Sequence, residues 1–212
     1  LAEQSKFYQV LLVQLEEKER KLFLESERLE NLQNELNKRS QEIDELKALI
    51  NAKEAQMQQL KNAISSALLD FEGKGLTVVQ KNGKIYVSME NKLLFNSGSW
   101  AVGAEGKNAV EQLASVLSEN PDINVLIEGH TDNVPYKGAT LLDNWDLSVK
   151  RATAIVRILK NKGVNPTQIT AAGRSEFVPM SDNTSSEGKA KNRRIEIILA
   201  PNLDEITKLL KE

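Results

Sequence analysis

Cysteine is absent and histidine occurs once, at His130, which removes disulfides, thiolate chemistry and the common His-rich metal sites from consideration. Aromatics are scarce, 5% of 212 residues, while 27% are charged; that imbalance is expected when part of a chain is an exposed charged helix and not packed globule. No apolar run is long enough to span a bilayer, and no signal peptide is present. The chain starts at Leu1 and not at methionine, so an upstream segment, with any membrane anchor it carries, is expected ahead of residue 1. A net charge of -2 provides no general attraction for nucleic acid or anionic lipid, and neither is expected as a partner. The length fits one core plus an appended element.

Proline and glycine are also missing from residues 1–72. Over that stretch a seven-residue series runs from Leu1 through Tyr8, Leu15, Leu22, Leu29, Leu36, Ile43, Ile50, Met57, Ile64 and Phe71. A heptad held this long keeps one apolar stripe facing a partner helix and predicts a left-handed coiled coil, most simply a parallel homodimer. The companion core position is uneven, with Lys18, Glu25, Arg39 and Lys53 among Leu11, Leu32, Leu46, Leu60 and Ala67; charges there weaken the seam and help fix its register. An unbroken helix over this stretch is about 100 Å long at 1.5 Å per residue. The alternative is a solvated helix docked back on its own domain.

Gly73 and Gly75 end the helix. Leu76–Val79 and Ile85–Ser88, separated by Asn82-Gly83, predict two strands joined at a tight turn. Helical spacing follows at Ala109, Val110, Leu113, Val116 and Leu117, up to Asn120-Pro121, and then Ile123, Val125 and Ile127 alternate as a strand. A helix is expected from near Asp146, as its cap, to Gly163. Strands at Ile169–Gly173 and Arg194–Leu199 are separated by a long polar loop holding Asp182, Asn183 and Thr184. The class is α+β, in the order β-α-β-α-β-β, a sandwich with helices on one face of a mixed sheet, preceded by a long coiled-coil helix. A last helix over 202–212, with Leu203, Ile206, Leu209 and Leu210 on one face, is expected to pack on the domain.

Three separated motifs carry most of the information: Ile127-Glu128-Gly129-His130-Thr131-Asp132-Asn133, then Asn144-Trp145-Asp146-Leu147-Ser148-Val149-Lys150-Arg151-Ala152, then Asn192-Arg193-Arg194-Ile195-Glu196-Ile197. In this order they resemble the signature of the OmpA-like carboxy-terminal domain, a peptidoglycan-binding family, and the resemblance covers about the last two-thirds of the chain. Together with the heptad series it divides the chain into a coiled coil over 1–72 and an OmpA-like domain over 73–212, and no cofactor or metal is expected. The implied ligand is the diaminopimelate of the stem peptide, whose free end carries an ammonium and a carboxylate. By motif position Asp132, with Thr131 beside it, takes the ammonium, and Arg151 takes the carboxylate by its planar fork. Asn144 and Arg193 are expected to line the pocket, with the helix amino terminus near Asp146–Ser148 adding donors. The implied location is the periplasm or cell envelope of a Gram-negative bacterium, and the implied function is non-covalent anchoring of an envelope or membrane protein to the wall.

Three other readings stand beside this one. Asp132 and Arg151 can form a structural ion pair. Glu128, Asp132, Asp143 and Asp146 can supply paired carboxylates to a glycan hydrolase, although nothing fixes their separation and an enzyme is not expected. Asn133-Val134-Pro135, Asn144–Ser148 and Leu93–Ser99 look like the stator B subunit of flagellar motors, from which the long heptad segment departs. His130 lacks the companions of a metal ligand and is expected to be a hydrogen bonder that shapes the loop.

Overall fold

The computed structural model describes residues 2–96 and 98–210, and within them not the side chains at 2, 3, 205 and 209; Leu1 of the heptad series, Ser97, the Leu209 side chain and residues 211–212 lie outside the described residues. The chain divides into two units, one of them Asn51–Thr207. Helix α1 runs Ala2–Ala67 without a break, as a segment free of glycine and proline allows. Up to residue 50 its heptad positions are exposed, from 71% at Leu22 to 44% at Ile50, whereas Met57 is 1% exposed and Ile64 is fully buried. One stripe therefore serves two ends: its last turns, with Leu60, Leu68 and Phe71, join the core of the Asn51–Thr207 unit, and the rest has no cover among the described residues.

Strands β1 (Leu76–Lys81) and β2 (Lys84–Glu90) form the expected hairpin, with Asn82 and Gly83 both at positive φ as a two-residue turn of this hand requires. After a single turn, α2 (Asn91–Leu94), come α3 (Ala104–Ser118), β3 (Ile123–His130), α4 (Asn144–Asn161), β4 (Ile169–Ser175), α5 (Ser186–Asn192), β5 (Arg194–Pro201) and α6 (Asp204–Leu209). The sheet order is β1-β2-β5-β3-β4, with β3 and β4 parallel and the other pairs antiparallel, so β5 closes the chain into the middle. Residues facing each other across this register share a face: Ile127 with Ile197 and Val125 with Leu199 are buried, and their side of the sheet carries the core with α3 and α4. The opposite face carries Leu126 and Ile198, both half-buried, and the buried polar residues Glu128, His130 and Arg194.

Three expectations change. The polar loop before β5 contains α5, which begins where the Ser185 hydroxyl accepts from Gly188 N–H. The cap of α4 is Asp143, which accepts from Asp146 N–H at 3.1 Å; the Asp146 carboxylate reaches back to Leu142 N–H at 2.9 Å, and both orphan donors are satisfied reciprocally. At the far end, Gly163 donates to the Lys160 carbonyl and Val164 to that of Leu159, the Schellman stop. Finally, α6 leaves Leu203 49% and Leu210 69% exposed, so these two residues do not pack as the pattern predicts.

Candidate functional site

Strand β3 delivers its motif to the end of the sheet. At Gly129 and Gly173, register partners on β3 and β4, an added Cβ would collide with Ser148 of α4, so these glycines let α4 lie directly against the sheet. The register shifts after Gly129, Ser175 adopts a positive φ, and Thr131 N–H donates to the Ser175 carbonyl. The chain then turns at Asp132, whose Oδ1 accepts from Val134 N–H at 3.1 Å.

Asp132 is 6% exposed and its Oδ2 accepts from Arg193 Nη1. This is its ion pair, and it replaces the Asp132–Arg151 pair the sequence allowed. Arg151 stands two turns into α4 and is 3% exposed; its Nε donates to the Ser99 carbonyl at 3.0 Å and its guanidinium lies 5.3 Å from the centre of the Phe95 ring. Among the described residues Arg151 has no ion pair. Burial above all, and then the Arg193 charge, lower its pKa to about 10, with Asp132 and Tyr136 acting the other way. The side chain stays cationic at neutral pH, so a buried positive charge faces the cleft with no ion pair of its own among the described residues.

That cleft, about 870 Å³, is lined by Asp132, Arg151, Asn144 and Arg193 together with Phe95, Tyr136, Lys92 and Glu90. The structure thus brings four of the five sequence-selected residues to one place. Thr131 is outside the lining, 4% exposed, with a hydroxyl that has no hydrogen-bond partner among the described residues. The expected donors at Asp146–Ser148 are also unavailable: Asp143 holds Asp146 N–H, and Ser148 is fully buried, bonding Trp145 and Ser175. Asn144 lines the cleft but its amide is already engaged, donating to the carbonyls of Asp132 (3.3 Å) and Val134 (3.0 Å) and to Glu176 Oε2 (2.8 Å). It ties the loop after β3 to the loop after β4.

The Asn-Arg-Arg motif divides its labour. Asn192 is fully buried and accepts from the N–H groups of Met180 and Ser181 while donating to Ser181 O and Asn183 Oδ1. Arg194 donates to the Val178 carbonyl and to Glu196. Only Arg193, between them, reaches the cleft. Phe95 and Ser99, which seat Arg151, stand in the Leu93–Ser99 segment but were not selected as site residues, and their contact with Arg151 spans more than fifty positions.

His130 is not the hydrogen bonder expected. Both ring nitrogens are buried without a hydrogen bond among the described residues, and Nε2 lies 3.6 Å from Glu128 and 3.9 Å from Glu196. Burial first, then Arg194 and Arg174, lower its pKa to about 3, so the ring is neutral. Glu128, His130 and Glu196 are spaced as three metal ligands would be, yet Arg174 and Arg194 already balance both carboxylates, and the group reads as a partly buried ion-pair network. Asp143 and Asp146 are committed to the α4 cap, so the four acids proposed for hydrolysis are all held in other bonds.

Residues 94–193 match the family model for the OmpA family. Residues 94–193 are an OmpA family domain. Motility protein B of Bacillus subtilis (strain 168) is 32% identical over 118 residues, 55% of this chain and 45% of that protein. The probable lipoprotein YiaD of Escherichia coli (strain K12) is 35% identical over 129 residues, 61% of this chain and 57% of that protein. The chain thus spans about half the length of these curated relatives. Among solved structures, the cell wall anchor of the T6SS from Pseudomonas aeruginosa aligns with a TM-score of 0.61 and 30% identity over 65% of this chain and 96% of that one. The OmpA domain carries all the cleft residues named above from Asp132 to Arg193, while β1, β2 and α1 lie ahead of it.

Proposed function

We propose that the OmpA domain anchors a cell-envelope protein to peptidoglycan without covalent chemistry, by gripping the zwitterionic end of diaminopimelate in the stem peptide. The observation that carries this reading is the unequal state of the two opposed charges in the cleft. Arg151 is cationic, buried and, among the described residues, without an anion of its own, and it takes the ligand carboxylate; Asp132 is held by the partly exposed Arg193, a cation that the ligand ammonium can replace. Similarity to a cell wall anchor and to motility protein B supports the partner class. No described helix is long and apolar enough to cross a membrane. The exposed heptad stripe from Tyr8 to Ile50 is assigned to a second copy of the chain in a parallel coiled coil, which pairs two wall-binding heads.

The test is co-sedimentation of the protein and its Asp132→Ala variant with purified sacculi of diaminopimelate type, with the supernatant assayed for released muropeptides. Pelleting of the parent alone, without release, is expected. Failure of the parent to pellet overturns the assignment, and released muropeptides would make the protein a hydrolase. The similarity to motility protein B favours a second setting, the periplasmic part of an ion-driven flagellar stator. An upstream membrane helix with an ion-binding aspartate in the full-length gene product would decide for it.

A further inference from the structure

Beside the charged cleft lies a second, of about 310 Å³, lined by Pro135, Tyr136, Asn144, Trp145, Glu176 and Phe177 among others. Pro135, Tyr136 and Asn144 line both, so the two clefts are neighbours with a common wall. Its floor is unusual for a chain with few aromatics. Trp145 and Phe177 stack with ring centres 5.6 Å apart and planes 29° apart, yet they remain 47% and 65% exposed, and Leu142 beside them is 91% exposed. Apolar surface of this kind, gathered next to a polar cleft, marks a contact site more often than chance exposure does. The platform is also held in place: Asn144 donates to Glu176, Arg194 holds the Val178 carbonyl, and Trp145 sits in the capped first turn of α4.

The geometry points to a second binding site, for one sugar ring of the glycan strand, with the apolar face of an N-acetylated hexosamine lying on the Trp145–Phe177 pair and its hydroxyls toward Asp143 and Glu176. The proposal rests on the wall-binding reading of the first cleft. Three features select a sugar as the occupant. A pyranose ring has an apolar face of C–H groups and a polar rim, which matches an aromatic platform edged by carboxylates. The platform adjoins the cleft assigned to the stem peptide. The stem peptide is itself joined to the glycan, so a ligand bound in the first cleft presents its own sugar to the second at high effective concentration.

Calorimetric titration of the full chain with three probes tests this: a diaminopimelate-containing stem peptide lacking sugar, a peptide-free oligomer of N-acetylglucosamine, and the muropeptide that joins sugar to peptide. The muropeptide is expected to bind about tenfold more tightly than the peptide, equal to ~1.4 kcal/mol. Phe177→Ala, at an exposed position, and Trp145→Ala should each remove that advantage and leave the affinity for the bare peptide unchanged. Equal binding of muropeptide and peptide by the parent, or an advantage that survives both substitutions, overturns the sugar site and leaves the platform to a protein partner. If the bare peptide does not bind at all, the first cleft has been misassigned. The sugar oligomer then decides alone: binding lost in Phe177→Ala upholds the site, and no binding overturns it.

Discussion

Arg151 illustrates how a residue's role follows from what it lacks. Its guanidinium is desolvated, holds among the described residues a backbone carbonyl and an aromatic face, and keeps its charge. Arg151→Ala is therefore expected to lower sacculus binding about 10- to 100-fold, the worth of one charge-assisted hydrogen-bonded pair, while circular dichroism shows a native fold. Arg151→Lys should recover little of it, because an ammonium cannot present the planar fork. His130 makes the complementary point. Its folded pKa, about 3, lies below the ordinary value of 6.5. Above pH 6.5 the ring is neutral in both states and contributes no pH dependence. Below it the unfolded chain takes up a proton that the folded protein refuses until about pH 3, so stability falls through this window by up to ~1.4 kcal/mol per pH unit from this residue. Urea unfolding at pH 7.5 and pH 5.0 should show a smaller acid loss in His130→Gln than in the parent; equal losses would mean that the ring is protonated in the fold.

At the scale of elements, the cleft depends on one close contact and one tie. α4 can lie on β3 only because Gly129 and Gly173 carry no side chain. Gly129→Ala places a methyl against the Ser148 backbone, and a loss of about 2 kcal/mol or more is expected in chemical denaturation, with weaker wall binding because α4 carries Arg151. The tie is Asn144. Asn144→Ala frees the loops after β3 and β4 from each other and leaves the buried Asp132 carbonyl and two part-buried acceptors without this donor; a cost of about 1–3 kcal/mol is expected, together with faster amide exchange at Asp132–Val134. The heptad and the strand alternation were legible in the sequence because each has a fixed period. Helix α5 was not: seven residues with no apolar stripe of their own read as loop, and the buried Asn192 that organises this segment works through contacts about ten positions back.

For the whole molecule, the apolar stripe of α1 changes function along its length. From Met57 onward it is core of the Asn51–Thr207 unit, and before residue 51 it is exposed surface that a second helix would cover. Light scattering of the full chain is expected to give a dimer, and Leu22→Lys with Leu29→Lys a monomer whose urea midpoint for the globular unit is unchanged. If two heads act together, the monomer should also pellet with sacculi more weakly than the dimer, by a factor set by effective concentration and not by any lost contact with the wall. A parent that is monomeric at micromolar concentration would remove the second copy from the proposal.

The sequence by itself determined the periodic and the punctuated features: a long helix, a hairpin at Asn82-Gly83, a mixed α+β domain, and motifs that place Asp132, Asn144, Arg151 and Arg193 at one end of a sheet. Those are properties of local order along the chain. Which cation Asp132 holds, that Phe95 and Ser99 seat Arg151, that His130 is buried unbonded, and that Trp145 meets Phe177 were decided by tertiary structure alone. The reason is physical: each depends on residues far apart in sequence, brought together by strand register and by the approach of α4 to the sheet, and pairing at that range leaves no period for a sequence to display.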